Sequence, residues 1–151
     1  MKSVIATLVL TIFFSTTALL AQTRDPQKFT GAKATLKSYK ALYYINQSDE
    51  KKIKGTLRNI NNALNDPRLK GKITVELVAF GDGVEMFKKE NHYDTLLTAL
   101  QQKGVLLVEC ENTLRERKID KTELWPFLSY TPSGNGEIII RQQQGWAVIH
   151  P

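Results

Sequence analysis

The sequence predicts a single α/β domain with three layers, α/β/α, built on a mostly parallel five-stranded sheet of the flavodoxin-like or Rossmann-like kind. Two observations support this prediction. Strand-like apolar runs alternate with segments of helical periodicity along the chain, which is typical of parallel sheets covered by helices. The 151 residues, of which 42% are apolar, suffice for one hydrophobic core and are too few for two.

The N-terminal residues have the composition of an export signal. A short apolar run follows Lys2 and ends in small residues at Ala21, so residues 1–21 are predicted to be a signal peptide cleaved after Ala21. An uncleaved membrane anchor is the alternative for the same run. Residues 22–37 are predicted to be a flexible leader and residues 38–151 the domain. We therefore expect a periplasmic or secreted protein with no stable membrane insertion after cleavage.

The first part of the domain is predicted to be strand, helix and strand. Tyr39 to Ile45 is an aromatic-rich strand. Ser48 or Asp49 is expected to cap the next helix, which ends near Asn65 and carries one apolar stripe. The clearest strand of the sequence, Ile73 to Phe80, follows. The stripe on the helix consists of Ile53, Leu57, Ile60 and Leu64.

A glycine loop, Gly81-Asp82-Gly83, ends the second strand and is followed by a short helix at residues 84–87. A longer helix, Tyr93 to Lys103, ends at Gly104. The apolar run Val105 to Val108 then has the length and β-branched content of a third strand that is buried on both faces.

The third strand ends at Cys110, the only cysteine of the chain. Asn112 and Thr113 have the short, oxygen-bearing side chains that cap helices, and residues 114–117 are good helix formers. We therefore expect a short helix over residues 114–117, capped by Asn112 or Thr113. A polar connection, residues 118–126, follows it.

The end of the chain is predicted to hold two more strands, Phe127 to Tyr130 and Trp146 to Ile149. The periodicity of residues 135–144 between them fits either a strand or a helix. Three consecutive isoleucines favour a strand, and closure by Gly145 favours a helix. We predict a helix because parallel neighbours need a crossover connection.

The position of Cys110, where a buried strand gives way to a helix, is one where ligands and chemistry gather in open α/β sheets. A helix N-terminus favours thiolate over thiol. Glu109 and Glu111 oppose this effect, whereas Arg115 and Arg117 support it. The alternative is that Cys110 packs as a small buried apolar residue.

The cysteine segment has the pattern Cys110-x-x-Thr113-Leu114-Arg115-x-Arg117-x-Ile119, which follows Gly104-Val105 and an apolar strand. This pattern resembles the cysteine segment of the DsrE/DsrF-like family of small sulfur-relay proteins. The resemblance covers residues 39–151 and also includes Val78 to Gly83, Pro132-Ser133-Gly134, and Gln144 to Pro151.

The resemblance implies that Cys110 accepts sulfur as a persulfide, without a cofactor, from a donor protein and for an acceptor protein. It also implies that the backbone amides of Asn112 and Thr113 favour the thiolate and that the glycine loop, Gly81, Asp82 and Gly83, lies beside the cysteine as a ligand-binding element. Asp82 orders this loop or is a solvated turn residue. A homo-oligomer, trimer or hexamer, is a further implication.

Three functional hypotheses follow. The first is an exported sulfur protein in which Cys110 is a persulfide carrier or a thiol sensor, and whether this amounts to enzymatic activity is left open. The second is a non-catalytic, oligomeric binding module with a structural cysteine. The third is a small-ligand pocket at subunit junctions near the glycine loop.

Other classes of site find little support in the sequence. His92 and His150 are far apart and no acidic cluster has metal-ligand spacing, so we expect no metal. The glycine loop lacks the further glycine of a dinucleotide fingerprint, and no serine triad is recognisable. The net charge of +6 comes from lysines and arginines spread along the chain, and no nucleic-acid motif is present.

Overall fold

A five-stranded, all-parallel sheet forms the centre of the structure, a computed structural model that describes residues 28–151. The predicted signal peptide and the first part of the predicted leader lie outside the described residues. The strand order is β4-β3-β2-β1-β5, and the α/β fold class is confirmed. The strands are β1 (Tyr39–Ile45), β2 (Ile73–Ala79), β3 (Leu106–Cys110), β4 (Ser129–Thr131) and β5 (Ala147–Ile149).

Four α-helices connect the strands, and the ambiguous segment near the end of the chain is one of them. Asp49 caps the first helix by accepting a hydrogen bond from the Lys52 amide at 2.9 Å, as predicted. Ser133 caps the last helix in the same way, by accepting a hydrogen bond from the Gly136 amide. The helices are α1 (Glu50–Asn65), α2 (Asp94–Gln102), α3 (Glu111–Arg117) and α4 (Gly134–Gln143).

The connections place the helices on two faces of the sheet. From β1 to β4 each new strand is added on the same side of the previous one, so right-handed crossovers bring α1, α2 and α3 to one face. The connection from β4 to β5 crosses the sheet in the opposite direction, and α4 therefore lies on the other face, called the α4 face below. The chain has the predicted three layers.

The two faces differ in how well they are covered. The face below α1, α2 and α3 carries most of the buried apolar residues, among them Leu77 and Leu107. The core of the α4 face has three buried residues, Leu42, Val78 and Val108, with half-buried neighbours such as Ile138 of α4. One helix is too narrow to cover five strands, so part of this face stays accessible.

Several predicted details were wrong. Asn112 and Thr113 do not cap α3, because the helix begins at Glu111 and Cys110 itself occupies the N-cap position. Leu106 was expected to be buried, but 41% of its surface is exposed on the incompletely covered α4 face. The glycine loop is not separate from the short helix after it, since both belong to a 3-10 helix, Gly81–Phe87.

Residues 33–151 form one compact unit. Within residues 28–151, no helix is long and apolar enough to cross a lipid bilayer. The predicted leader and its boundary at residue 38 remain predictions.

Candidate functional site at the ends of β3 and β4

The candidate site lies where two neighbouring strands send the chain to opposite faces. After β3 the chain turns into α3, and after β4 it turns into α4 on the other face. Cys110 and Thr131, the last residues of these strands, are paired in the sheet. Such a switch in direction opens a crevice at the carboxyl ends of the strands, where α/β proteins usually bind ligands. The structure therefore places Cys110 at the topological switch point.

Hydrogen-bond donors from two helices surround the Cys110 sulfur. Gly134 is the first residue of α4, and its backbone amide donates a hydrogen bond to Sγ at 3.3 Å. The hydroxyl and amide of Thr113 and the amide of Asn112, in the first turn of α3, also favour the thiolate. Burial raises the pKa of the Cys110 thiol, but these donors outweigh it and the net effect is a lowered pKa. The cysteine is thus a buried thiol in surroundings that favour its anion.

The glycine loop reaches the sulfur through Thr113. The Gly81 amide donates to Oγ1 of Thr113 at 2.9 Å, which leaves the hydroxyl hydrogen free for the cysteine. Gly81 has a φ of +57°, a backbone conformation that glycine adopts without strain. The glycine loop is therefore hydrogen-bonded to the α3 turn that adjoins the thiol.

The other two residues of the glycine loop face away from the sulfur. Asp82 pairs with Arg117 of α3 at 2.6 Å, and both side chains are largely exposed, so this ion pair contributes little stability. A Cβ on Gly83 would lie 2.2 Å from the Ile45 carbonyl oxygen, so glycine is needed there for close packing against the end of β1. A ligand-binding role for this loop remains a prediction.

Gly134 belongs to the site but was not predicted to. A Cβ at this position would lie 2.8 Å from a ring carbon of Phe80, so a larger residue would push the start of α4 away from the thiol. Its signal in the sequence was the helix start Pro132-Ser133-Gly134. Nothing in the sequence shows that this start lies next to Cys110, because that depends on the order of the strands.

The acidic residues beside the cysteine oppose the thiolate less than expected. The side chain of Glu109 points to the opposite face of the sheet from Cys110 and has no exposed surface, and burial raises its pKa to about 9. It is therefore neutral at pH 7. Glu111 is paired with Lys121 at 2.7 Å. The supporting arginines are also engaged, since Arg115 donates to Asn112 and Arg117 pairs with Asp82.

A buried ion cluster fixes α4 to the sheet. Arg141 of α4 pairs with Glu76 of β2 and with Glu137, each at 2.7 Å, and its guanidinium group lies 4.5 Å from the centre of the Trp146 ring. Thr131 donates to Glu137 at 3.1 Å. Burial raises the pKa of Glu76 to about 6, although Arg141 opposes this shift. The cluster joins α4 to β2.

Within residues 28–151, no three His, Cys, Asp or Glu side chains come together as metal ligands would. His150, near the C-terminus, stacks on Tyr44 with ring centroids 4.3 Å apart. Its ring thus packs against an aromatic neighbour.

The chain is similar to a known protein family and to solved structures. A family model described as the DsrE/DsrF-like family matches residues 40–151. The solved structure of MTH1491 from Methanobacterium thermoautotrophicum, a protein of unknown function, is 31% identical, covers 76% of this chain and 100% of its own, and has a TM-score of 0.71. None of the curated proteins matches significantly.

A second solved structure supports the fold alone. BT1422 from Bacteroides thetaiotaomicron, a conserved protein of unknown function, is 11% identical, with a TM-score of 0.60. The match covers 74% of this chain and 94% of that one.

Replacing Thr113 by Val should slow alkylation of Cys110 by iodoacetamide at neutral pH by about tenfold. Valine keeps the shape but removes a donor to the anion, and a hydrogen bond to a charged group contributes on the order of 1.5 kcal/mol. The measurement is the alkylation rate as a function of pH. Thr113→Ser is the control and should stay close to the wild type. An unchanged pH profile in a folded Thr113→Val protein would show that the hydroxyl does not stabilise the thiolate.

Replacing Glu109 by Gln should flatten the dependence of stability on pH between about 6.5 and 8.5. The pKa of Glu109 in the folded protein, about 9, lies above its ordinary value, so the protonated form favours the folded state. This contribution to stability is complete at low pH and is lost as pH rises towards 9. The slope it adds is at most about 1.4 kcal/mol per pH unit. Glu76 titrates mostly below this window.

The measurement is urea unfolding at a series of pH values. Glu111→Gln is the matched control, because it makes the same change on the other side of Cys110, at a carboxylate that is partly exposed and paired with Lys121. Equal slopes in wild type and Glu109→Gln would mean that Glu109 is ionised in the folded protein.

Proposed function

The chain belongs to the DsrE/DsrF-like family, and we propose that it is an exported member that handles sulfur through Cys110, as a persulfide carrier or a thiol sensor. The observation that supports this most directly is the set of donors on the sulfur from the starts of two helices. A nucleophilic cysteine needs thiolate character, and these donors provide it despite burial.

The proposed chemistry is transfer of a sulfane sulfur without a cofactor. The Cys110 thiolate attacks the outer sulfur of a persulfide donor, R–S–SH, so a bond forms between Sγ and that sulfur while the S–S bond of the donor breaks. The donor leaves as the thiolate R–S⁻, and Cys110 carries –S–SH. An acceptor thiolate removes the outer sulfur by the same reaction. Neither step has a net oxidation.

A carrier and a sensor use the first step differently. A carrier passes the sulfur on to an acceptor. In a sensor the persulfide itself is the signal, and the Gly134 amide of α4 is placed to respond, since it donates to the sulfur that changes. Both uses require Cys110 and neither requires a metal.

A non-catalytic binding module is the competing proposal. One observation favours it: only 4% of the Cys110 surface is exposed. In this case the cysteine fills space at the switch point, and sulfur donors leave the protein unchanged.

We also propose that the protein is exported and forms a homo-oligomer, trimer or hexamer. On the α4 face, Leu106, Ile139 and Ile140 have 41%, 61% and 53% of their surfaces exposed. A second copy of the chain packed on this face would remove these apolar side chains from water. Export follows from the predicted signal peptide.

Both proposals can be tested on protein recovered from the periplasm of a bacterial expression host. Its mass should correspond to a chain that begins at Gln22, and sedimentation velocity should give an assembly larger than a monomer. Ile139→Lys should shift the assembly towards monomer, with the exposed Leu96→Lys on α2 as control. A monomeric wild type, or an unprocessed chain, would refute the corresponding proposal.

Exposure of the reduced protein to a sulfur donor should add about 32 Da per sulfur atom to its mass. The gain should disappear on reduction and be absent from Cys110→Ser, which has no other cysteine. Intact-mass spectrometry is the measurement. A wild type that stays unmodified by every donor, and whose thiol also resists alkylation, would establish the structural role instead.

A further inference from the structure

A half-open groove of about 310 Å³ lies between α1 and α2, on the opposite face of the sheet from α4. Its lining residues follow the helical repeat, because spacings of three and four place side chains in one row along a helix. The row on α2 is entirely apolar, whereas the row on α1 also carries two cations and an amide. The lining residues are Lys54, Leu57, Arg58 and Asn61 of α1, and Leu96, Ala99 and Leu100 of α2.

The base of the groove is apolar, and one of its walls is open to water. Leu57 and Leu100 form the base, with 3% of their surfaces exposed. Leu96 beside them keeps 44% of its surface exposed, and Ala99 is exposed as well. Among the large apolar side chains described in α1, α2 and α3, Leu96 alone is exposed. An apolar ligand in the groove would therefore remove this side chain from water.

The rim of the groove supplies a cation that has no partner. Within residues 28–151, Arg58 makes no hydrogen bond or ion pair, whereas Lys54 pairs with Glu50 one turn earlier. No acidic residue lines the groove, and Lys103 adds positive charge at one end, where it donates to Asn61. An arginine binds a carboxylate through two parallel hydrogen bonds. The charge of the rim thus complements a carboxylate.

The apolar base and the cationic rim together fit an amphiphile with one chain. The row on α1 from Lys54 to Asn61 covers about 10 Å along the helix axis, which matches a chain of medium length. A protein partner fits less well, because protein interfaces bury far more area and are anchored by aromatic residues, and no aromatic side chain lines this groove. A flat bilayer surface would leave the concave base uncovered.

We propose that this groove binds a medium-chain fatty acid. Arg58 binds the carboxylate, and the chain lies over Leu57 and Leu100 against Leu96. A mostly apolar lining with a few placed polar groups is typical of small-ligand sites, and the volume of the groove is at the lower end of their range. The site does not include Cys110 and is independent of the proposed sulfur chemistry.

The test is an NMR titration of the ¹⁵N-labelled protein, residues 22–151, with octanoate below its micelle-forming concentration. Octan-1-ol, which has the same chain without the charge, is titrated in parallel. Octanoate should shift amides of α1 and α2 and should bind about fivefold more tightly than the alcohol, because only the carboxylate pairs with Arg58.

Two variants separate recognition of the head group from recognition of the chain. Arg58→Leu should weaken octanoate binding by about fivefold and leave octanol binding close to the wild type. Lys52→Leu is its matched control, since it removes one positive charge from an exposed position of the same helix outside the groove. Leu96→Gln should weaken the binding of both ligands. Ile139→Gln, at an exposed apolar residue of α4, should weaken neither.

Three results would overturn the inference. The first is octanoate that shifts no amide of α1 or α2, and the second is equal affinity in Arg58→Leu and Lys52→Leu. The third is binding to phosphatidylglycerol vesicles without binding to monomeric octanoate, which would show that this surface recognises a bilayer. Cys110→Ser should bind octanoate like the wild type. A Cys110 that accepts no sulfur would overturn the proposed function and leave this inference standing.

Discussion

The site depends on the close approach of the α4 N-terminus to the end of β3. Gly134 allows this approach because it has no side chain to meet Phe80, and its amide then reaches the Cys110 sulfur at 3.3 Å. A cysteine at the end of a strand has only the donors of its own helix. Here a second helix, which arrives from the other face of the sheet, adds another donor, and this is a consequence of the switch in chain direction between β3 and β4.

Apolar packing below α4 is sparse, and a polar contact adds to it. Its core has three fully enclosed residues, whereas the opposite core is several times larger. The ion cluster around Arg141 compensates, because it joins α4 to the centre of the sheet through Glu76. Removing one member of a buried ion pair leaves the other charge without its partner, which usually costs several kcal/mol. The helix is therefore joined to the centre of the sheet by a polar contact located on β2.

Much of the fold could be predicted because it is local. The aromatic run from Tyr39 and the spacing of Ile53, Leu57 and Ile60 each determine one element from neighbouring residues alone. The helix α4 was predicted by a topological argument, since a parallel neighbour needs a crossover. Strand order is not local. Without it the sequence does not show that residue 134 lies beside residue 110 or that Leu106 faces a sparsely covered side of the sheet.

The charge state of the site was the least predictable property. In the sequence Glu109 looks like a negative charge next to the cysteine, but alternation along β3 turns it to the other face, where burial keeps it protonated. The same alternation places the sulfur among donors.

A cysteine that only fills space has no need of these donors, because burial alone raises the pKa of a thiol and keeps it neutral and inert. At Cys110 the donors reverse that effect. A buried thiol with a lowered pKa is a combination that structural packing alone does not require, and it supports the proposed role of Cys110 as a sulfur acceptor.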